Sequence, residues 1–124
     1  MPKLRALISI VDDDESVRES LPDLLKEFGF TSRAFSSARE FLESDAPDKT
    51  QCLILDVTMR GMSGPDLWRE LKRRGIYIPV VFITARRDET LRSRLVEEGA
   101  VGFLFKPFTD TALLEALSGV LGGK

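Results

Sequence analysis

Four short stretches of this chain carry side chains able to do chemistry: Asp12-Asp13-Asp14-Glu15, Asp56, Thr84-Ala85 and Lys106-Pro107. Carboxylates held close together repel, so ionising all of them is unfavourable unless a cation sits among them. An oxygen-only ligand set of Asp12, Asp13 and Asp56 suits a hard ion, and Mg²⁺ best, because it takes few carboxylates and keeps several waters. An ammonium from Lys106 aimed at the same crevice completes a cradle for an incoming anion such as a phosphoryl group. Asp56 directly follows an apolar run, which makes it the best candidate nucleophile, since a carboxylate is able to form an acyl phosphate. Asp14 and Glu15 read more simply, as acids favoured in the first turn of a helix.

What is missing narrows the chemistry further. The sequence has no histidine and one cysteine, which excludes His-based triads, His-Cys zinc sites and an internal disulfide. Cys52 opens an apolar run and reads as a small buried residue, not a reactive thiol. With 18 Lys+Arg against 20 Asp+Glu, the formal charge of −2 offers no general attraction to nucleic acid or anionic membrane. No direct nucleic-acid binding by this domain and no membrane association are therefore expected. The N-terminus lacks an apolar secretion segment, and the longest apolar run, 76–85, contains Pro79 and is too short to span a bilayer. A reduced, cytoplasmic compartment is the simplest setting.

The elements that must position these residues follow from hydropathy. At 124 residues, with 43% hydrophobic and 31% charged positions, the chain fits a single domain covering 1–124. Apolar runs at 4–11, 30–35, 52–55, 80–83 and 101–105 read as strands, and the first, third and fourth are apolar almost throughout, as in a parallel sheet covered on both faces. Val17, Leu21, Leu24, Leu25 and Phe28 share one face of a helix that Gly29 ends, with a bend expected at Pro22. Ser37 and Glu40 have capping-box spacing before Phe41-Leu42, for a helix that stops before Pro47. Leu67, Trp68 and Leu71 mark a helix between Pro65 and Gly75, and Leu91, Leu95 and Val96 one that ends at Gly99. A last helix runs from a Thr109 or Asp110 cap through Leu113, Leu114, Leu117 and Leu121 to Gly122-Gly123. Strict alternation of strand and helix implies an α/β fold, with ligands outside the carboxyl ends of the strands. Every one of the four chemical stretches stands at such an end.

With the motifs placed, the chain resembles a receiver domain of a two-component response regulator, of CheY-like fold and FixJ type. The resemblance rests on Ile10-Val-Asp-Asp-Asp-Glu-Ser-Val-Arg-Glu-Ser-Leu21, Leu55-Asp-Val-Thr-Met59, Met62-Ser-Gly64, Ile83-Thr-Ala85 and Gly99-Ala-Val-Gly-Phe-Leu-Phe-Lys-Pro-Phe108, in order along nearly the whole chain. It implies a doubly wound five-stranded parallel sheet of order 2-1-3-4-5, flanked by five helices. It also implies a signalling switch, not an enzyme, in which Asp56 accepts phosphate from a histidine kinase or phosphotransfer protein. Asp13, Asp56 and the backbone carbonyl of Thr58 would ligate Mg²⁺, and Asp12 would hold a metal-bound water. Lys106, before a cis bond to Pro107, would pair with the phosphoryl group, and Thr84 would swing its hydroxyl towards it. Phe103 would turn inward as Thr84 moves, and the fourth helix, fifth strand and fifth helix would form a phosphorylation-dependent homodimer or effector surface.

Departures from the family pattern and two rival functions complete the reading. Arg60 stands where receivers usually carry proline, which would free the loop; Arg86 and Arg87 add charge after Thr84-Ala85; and Phe105 is bulky for its place before Lys106. A Mg²⁺-dependent phosphohydrolase of the haloacid-dehalogenase type would need a second Asp two residues after the nucleophile, where this chain has Thr58. A phosphorylation-independent binding module would typically have lost the acceptor or the lysine, and both are present.

Overall fold

The computed structural model describes residues 6–121. Five strands alternate with the helices: β1 (Leu7–Val11), β2 (Thr31–Phe35), β3 (Cys52–Asp56), β4 (Val80–Thr84) and β5 (Gly102–Phe105). The helices are α1 (Glu15–Glu27), α2 (Ala38–Glu43), α3 (Gly64–Arg73), α4 (Glu89–Glu97) and α5 (Asp110–Val120), with a 3₁₀ turn at Ala46–Asp48. All strand pairs are parallel, in the order β2-β1-β3-β4-β5. The doubly wound sheet expected from the motifs is thus present.

Burial explains the order. Every residue of β3 and β4 is buried, whereas β2 and β5, at the two edges, are only partly covered. The side-chain period of two sends alternate residues to opposite faces. Ile8, Ile10, Cys52, Ile54, Val81 and Ile83 pack against Leu21 and Leu25 of α1 and Leu113 and Leu117 of α5. Leu53, Leu55, Val80, Phe82 and Phe103 pack on the other face against Phe41 of α2, Leu67, Trp68 and Leu71 of α3, and Leu95 of α4. Removing one such leucine or phenylalanine side chain from water contributes roughly 1.5–3 kcal/mol.

Capping fixes where the helices begin. Asp14 caps α1 by accepting from Ser16 N–H at 3.0 Å, so its role is the helix-start one that the sequence suggests. Ser37, Ser63, Asp88 and Thr109 cap α2, α3, α4 and α5 in the same way. The box at α2 is shifted by one residue: Glu40 N–H donates to Ser37 Oγ, but the Glu40 carboxylate accepts from Ser36 N–H, not from Ser37. Gly29, Gly75 and Gly99 close their helices at positive φ, where a Cβ is strained.

Several sequence expectations need adjustment. Helix α1 runs through Pro22 without a break, which leaves the expectation of a bend there in place. Val101 lies outside β5 and is 46% exposed, because the strand starts only at Gly102, where an added Cβ would lie 3.3 Å from Val81 and Ala116. Val96 and Leu114 are exposed, since each lies beside the stripe that α4 or α5 turns to the sheet. The start of the first apolar run and Gly122-Gly123 lie outside the described residues. Among the described residues no helix is long and apolar enough to cross a membrane.

Candidate functional site

The strand order reverses at β1 and β3, so a crevice opens between their carboxyl ends. Asp12 follows β1 there, and Asp56 is the last residue of β3. Asp12 is fully buried and Asp56 only 6% exposed, while Asp13 is more open to solvent. Each of the three offers a carboxylate oxygen, and these oxygens lie within 4.8 Å of one another. Lys106, just past β5, reaches across to place Nζ 2.9 Å from Asp12 Oδ2 and 3.8 Å from Asp56 Oδ1. The Lys106-Pro107 peptide bond is cis. Thr84 ends β4 and is buried, and Thr58 lies exposed on the loop after β3.

Electrostatics distinguish the members of this set. Burial first, and then the neighbouring Asp12 charge, push the Asp56 carboxyl up to about 7, against the opposing pull of Lys106. The crevice is therefore short of positive charge, and its three converging carboxylates suit a small hard cation. Asp12 is held by the Asp14 N–H, which donates to its Oδ1 at 2.9 Å. Thr84 Oγ1 accepts from Arg86 N–H at 3.1 Å, and its own hydroxyl proton remains available to another acceptor.

Four supports of the site were not read as supports from the sequence. Arg18, one turn into α1, donates from Nη1 to the Asp12 backbone carbonyl at 2.9 Å and so pins the Asp12-Asp13 turn. Arg60 N–H donates to Asp13 Oδ2 at 3.1 Å, so the missing proline supplies a donor that ties the loop to the site instead of freeing it. Gly64 lies against Asp56: a Cβ there would collide with the Asp56 backbone carbonyl oxygen. Arg87 places its guanidinium carbon 4.9 Å from the Phe105 ring centre, and Phe105 meets Phe103 edge-on with centroids 5.5 Å apart. The only sequence signals for these were an arginine on an otherwise solvated helix face, an absent proline, a glycine after a helix cap, and an oversized aromatic. Phe103 itself is buried at 8% exposure, so its ring already stands inside.

Comparison with known proteins bears directly on this arrangement. The profile of the family described as response regulator receiver domain matches residues 8–118, which includes every strand-end residue of the crevice. This chain belongs to that family. The receiver domain is 47% identical over 113 residues to Nodulation protein W of Bradyrhizobium diazoefficiens, a match covering 91% of this chain and 50% of that protein. It is 38% identical over 115 residues to Transcriptional regulatory protein FixJ of Azorhizobium caulinodans, covering 93% of this chain and 54% of the relative. The receiver domain therefore spans about half the length of these relatives. Among solved structures, response regulator StyR superposes with a TM-score of 0.87 at 43% identity, covering 96% of this chain and 60% of that one. FixJ-N gives 0.81 at 38% identity, covering 94% of this chain and 93% of the other. The receiver domain is that of a two-component response regulator, and neither the phosphohydrolase nor the phosphorylation-independent module finds support in these matches.

Proposed function

We propose that Asp56 is the phosphoacceptor of this receiver domain and takes its phosphoryl group from a phosphohistidine on a histidine kinase or phosphotransfer protein. The observation that carries this reading is the buried Asp56 carboxylate at the carboxyl end of the central strand β3, with two further carboxylates and the Lys106 ammonium converging on it. These 124 residues include no histidine, so a phosphohistidine donor lies outside this domain. An Asp56 oxygen attacks phosphorus, the phosphorus–nitrogen bond breaks, and its electron pair returns to an imidazole already protonated on its other nitrogen, giving an acyl phosphate and a neutral histidine. Nothing in this exchange needs a general acid on the chain, which is consistent with a switch that at most promotes its own phosphorylation and dephosphorylation.

Asp13, Asp56 and the Thr58 backbone carbonyl would hold Mg²⁺, with Asp12 on a metal-bound water. When bound, the ion would neutralise charge on the transferring oxygens. Lys106 offsets the repulsion between Asp12 and Asp56 before transfer and pairs with a phosphoryl oxygen after it. Thr84, already accepting from Arg86 N–H, donates its hydroxyl proton to another of those oxygens. Thr84 and Phe103 then relay the added charge to the α4-β5-α5 face, which serves as a phosphorylation-dependent homodimer or effector surface. The reading places the domain in the cytoplasm, as 1–124 of a regulator whose DNA contacts, where it has any, are made outside this domain.

Intact-mass measurement after treatment with acetyl phosphate and Mg²⁺ tests the assignment. One phosphoryl group should appear on the parent, none after chelation of the metal, and none on Asp56→Asn, whose amide does not form an acyl phosphate. A full adduct on Asp56→Asn would overturn it.

A further inference from the structure

The aromatic side chains on the α2–α4 face of the sheet form a continuous chain that ends beside Thr84. Trp68 meets Phe82 edge-on with centroids 5.4 Å apart, Phe82 lies 6.3 Å from Phe103, and Phe103 meets Phe105 at 5.5 Å. Phe103 and Phe105 are two residues apart in β5 and so point to the same face. Phe105 covers Phe103 from the solvent side, being only partly buried where Phe103 is buried. Arg87 closes the row with its guanidinium over the Phe105 ring. It is exposed and forms no ion pair among the described residues, so the ring is its defined partner.

Two connections tie this row to the phosphoacceptor. Thr84 is the register partner of Phe105, and Lys106 N–H donates to the Thr84 carbonyl at 2.8 Å, so β5 and the end of β4 move together. Arg86 N–H donates to Thr84 Oγ1, and Asp88 N–H donates to the Arg86 carbonyl at 3.1 Å, so the loop that bears Arg87 also fixes the Thr84 hydroxyl. An open groove of about 420 Å³, lined by Arg87, Arg92, Phe103, Phe105 and Phe108 among others, adjoins the row. The rings therefore have space beside them, and contact with Arg87 adds to the burial that opposes their departure.

We propose that Arg87 and Phe105 are positioning residues that form a lid over Phe103, holding the ring inside and the Thr84 loop in place before any phosphoryl group arrives. Phosphorylation then has less to rearrange, because the ring stands where the response requires it. The inference rests on the reading of Asp56, Thr84 and Phe103 given above. A cation over an aromatic ring at an exposed site is worth enough to shift a two-state equilibrium about two- to fivefold.

The test compares Arg87→Gln, Phe105→Leu, their double variant and Phe105→Tyr with the parent in two measurements. In the first, beryllofluoride is titrated in Mg²⁺ as a phosphoryl mimic. The lid predicts that both single variants raise the midpoint about two- to fivefold, that the double variant is no worse than either, and that Phe105→Tyr, which restores a ring, matches the parent. If Arg87→Gln alone weakens binding while Phe105→Leu does not, Arg87 acts on the anion by charge and the lid is refuted. Unchanged midpoints with a lowered melting temperature also refute it, leaving only a packing role. The second measurement needs no phosphoryl mimic: amide exchange in the ligand-free protein should quicken at Arg86 and Asp88 in both single variants. A parent that ignores beryllofluoride would defeat the phosphoacceptor reading, whereas unaltered exchange at those amides would defeat the lid.

Discussion

The two faces of the sheet are packed with different materials. Towards α1 and α5 the buried residues are aliphatic, with Cys52 the only exception, and Phe30 and Phe108 contribute only from its margin. Towards α2, α3 and α4 the buried set contains Phe35, Phe41, Trp68, Phe82 and Phe103, with Phe105 against its edge. Branched aliphatic chains interlock closely and leave few alternative arrangements. Flat rings meeting edge-on are large units that move as wholes, so a shift at one is felt by the next. Strand β3 is held from both faces, and the aromatic half is the one able to answer a change at Asp56, the proposed acceptor.

The largest effect should come at the rim where the halves meet. Lys106→Ala leaves the buried Asp12 carboxylate facing Asp56 without an ammonium between them, and loss of one partner from such a pair costs about 3–5 kcal/mol. Denaturant melts in chelator should show this loss, and Mg²⁺ should recover part of it. Phosphate incorporation at Asp56 should persist, with its conformational consequence blunted.

On the aliphatic side, Leu25→Ala removes a fully buried side chain and should cost about 2–5 kcal/mol. The beryllofluoride midpoint measured well below the melting temperature should stay at the parental value. If that midpoint moves with stability, the two faces are not functionally separate. Phe103→Leu probes the other half, with a stability loss of about 1 kcal/mol and phosphorylation intact. Hydrogen exchange with and without beryllofluoride should then lose the changes seen in the parent between residues 86 and 105. Changes confined to α1 and α2 in the parent would locate the response on the wrong face.

The smallest effect concerns the surface of the aromatic half. Hydrogen bonds from Arg73, and then from Arg74, hold the Glu70 carboxyl down at about 2. A carboxyl depressed on folding contributes stability above its unfolded value, and that contribution is lost as pH falls through its folded one. The gap between parent and Glu70→Gln in urea midpoint should therefore be small at neutral pH and close between about 4.5 and 2. A gap that persists at pH 2 would assign it to helix propensity instead.

The architecture was legible because its signals are local. Apolar runs, glycines at helix ends and single cap residues each act within a few positions, and the chemical residues announced themselves by standing directly after strands. Contacts between distant segments were not legible. Nothing near Arg18 says that its guanidinium folds back to the Asp12 carbonyl, and Arg60 contributes through its backbone, which every residue except proline shares. Val96 and Leu114 show the same limit from the apolar side: helical period tells which residues share a face, but only the assembled sheet decides how wide a stripe it covers.

Gly64 has no side chain to contribute, yet it guards the proposed acceptor. The volume that a methyl group would need is already filled by the carbonyl of Asp56, and Gly64 N–H is bonded to the neighbouring Val57 carbonyl at 2.9 Å. Even alanine would have to push the end of β3 out of line, carrying the acceptor with it. In a survey of random variants, residue 64 should thus behave like a member of the site, intolerant of the mildest replacement, although it has no side chain of its own.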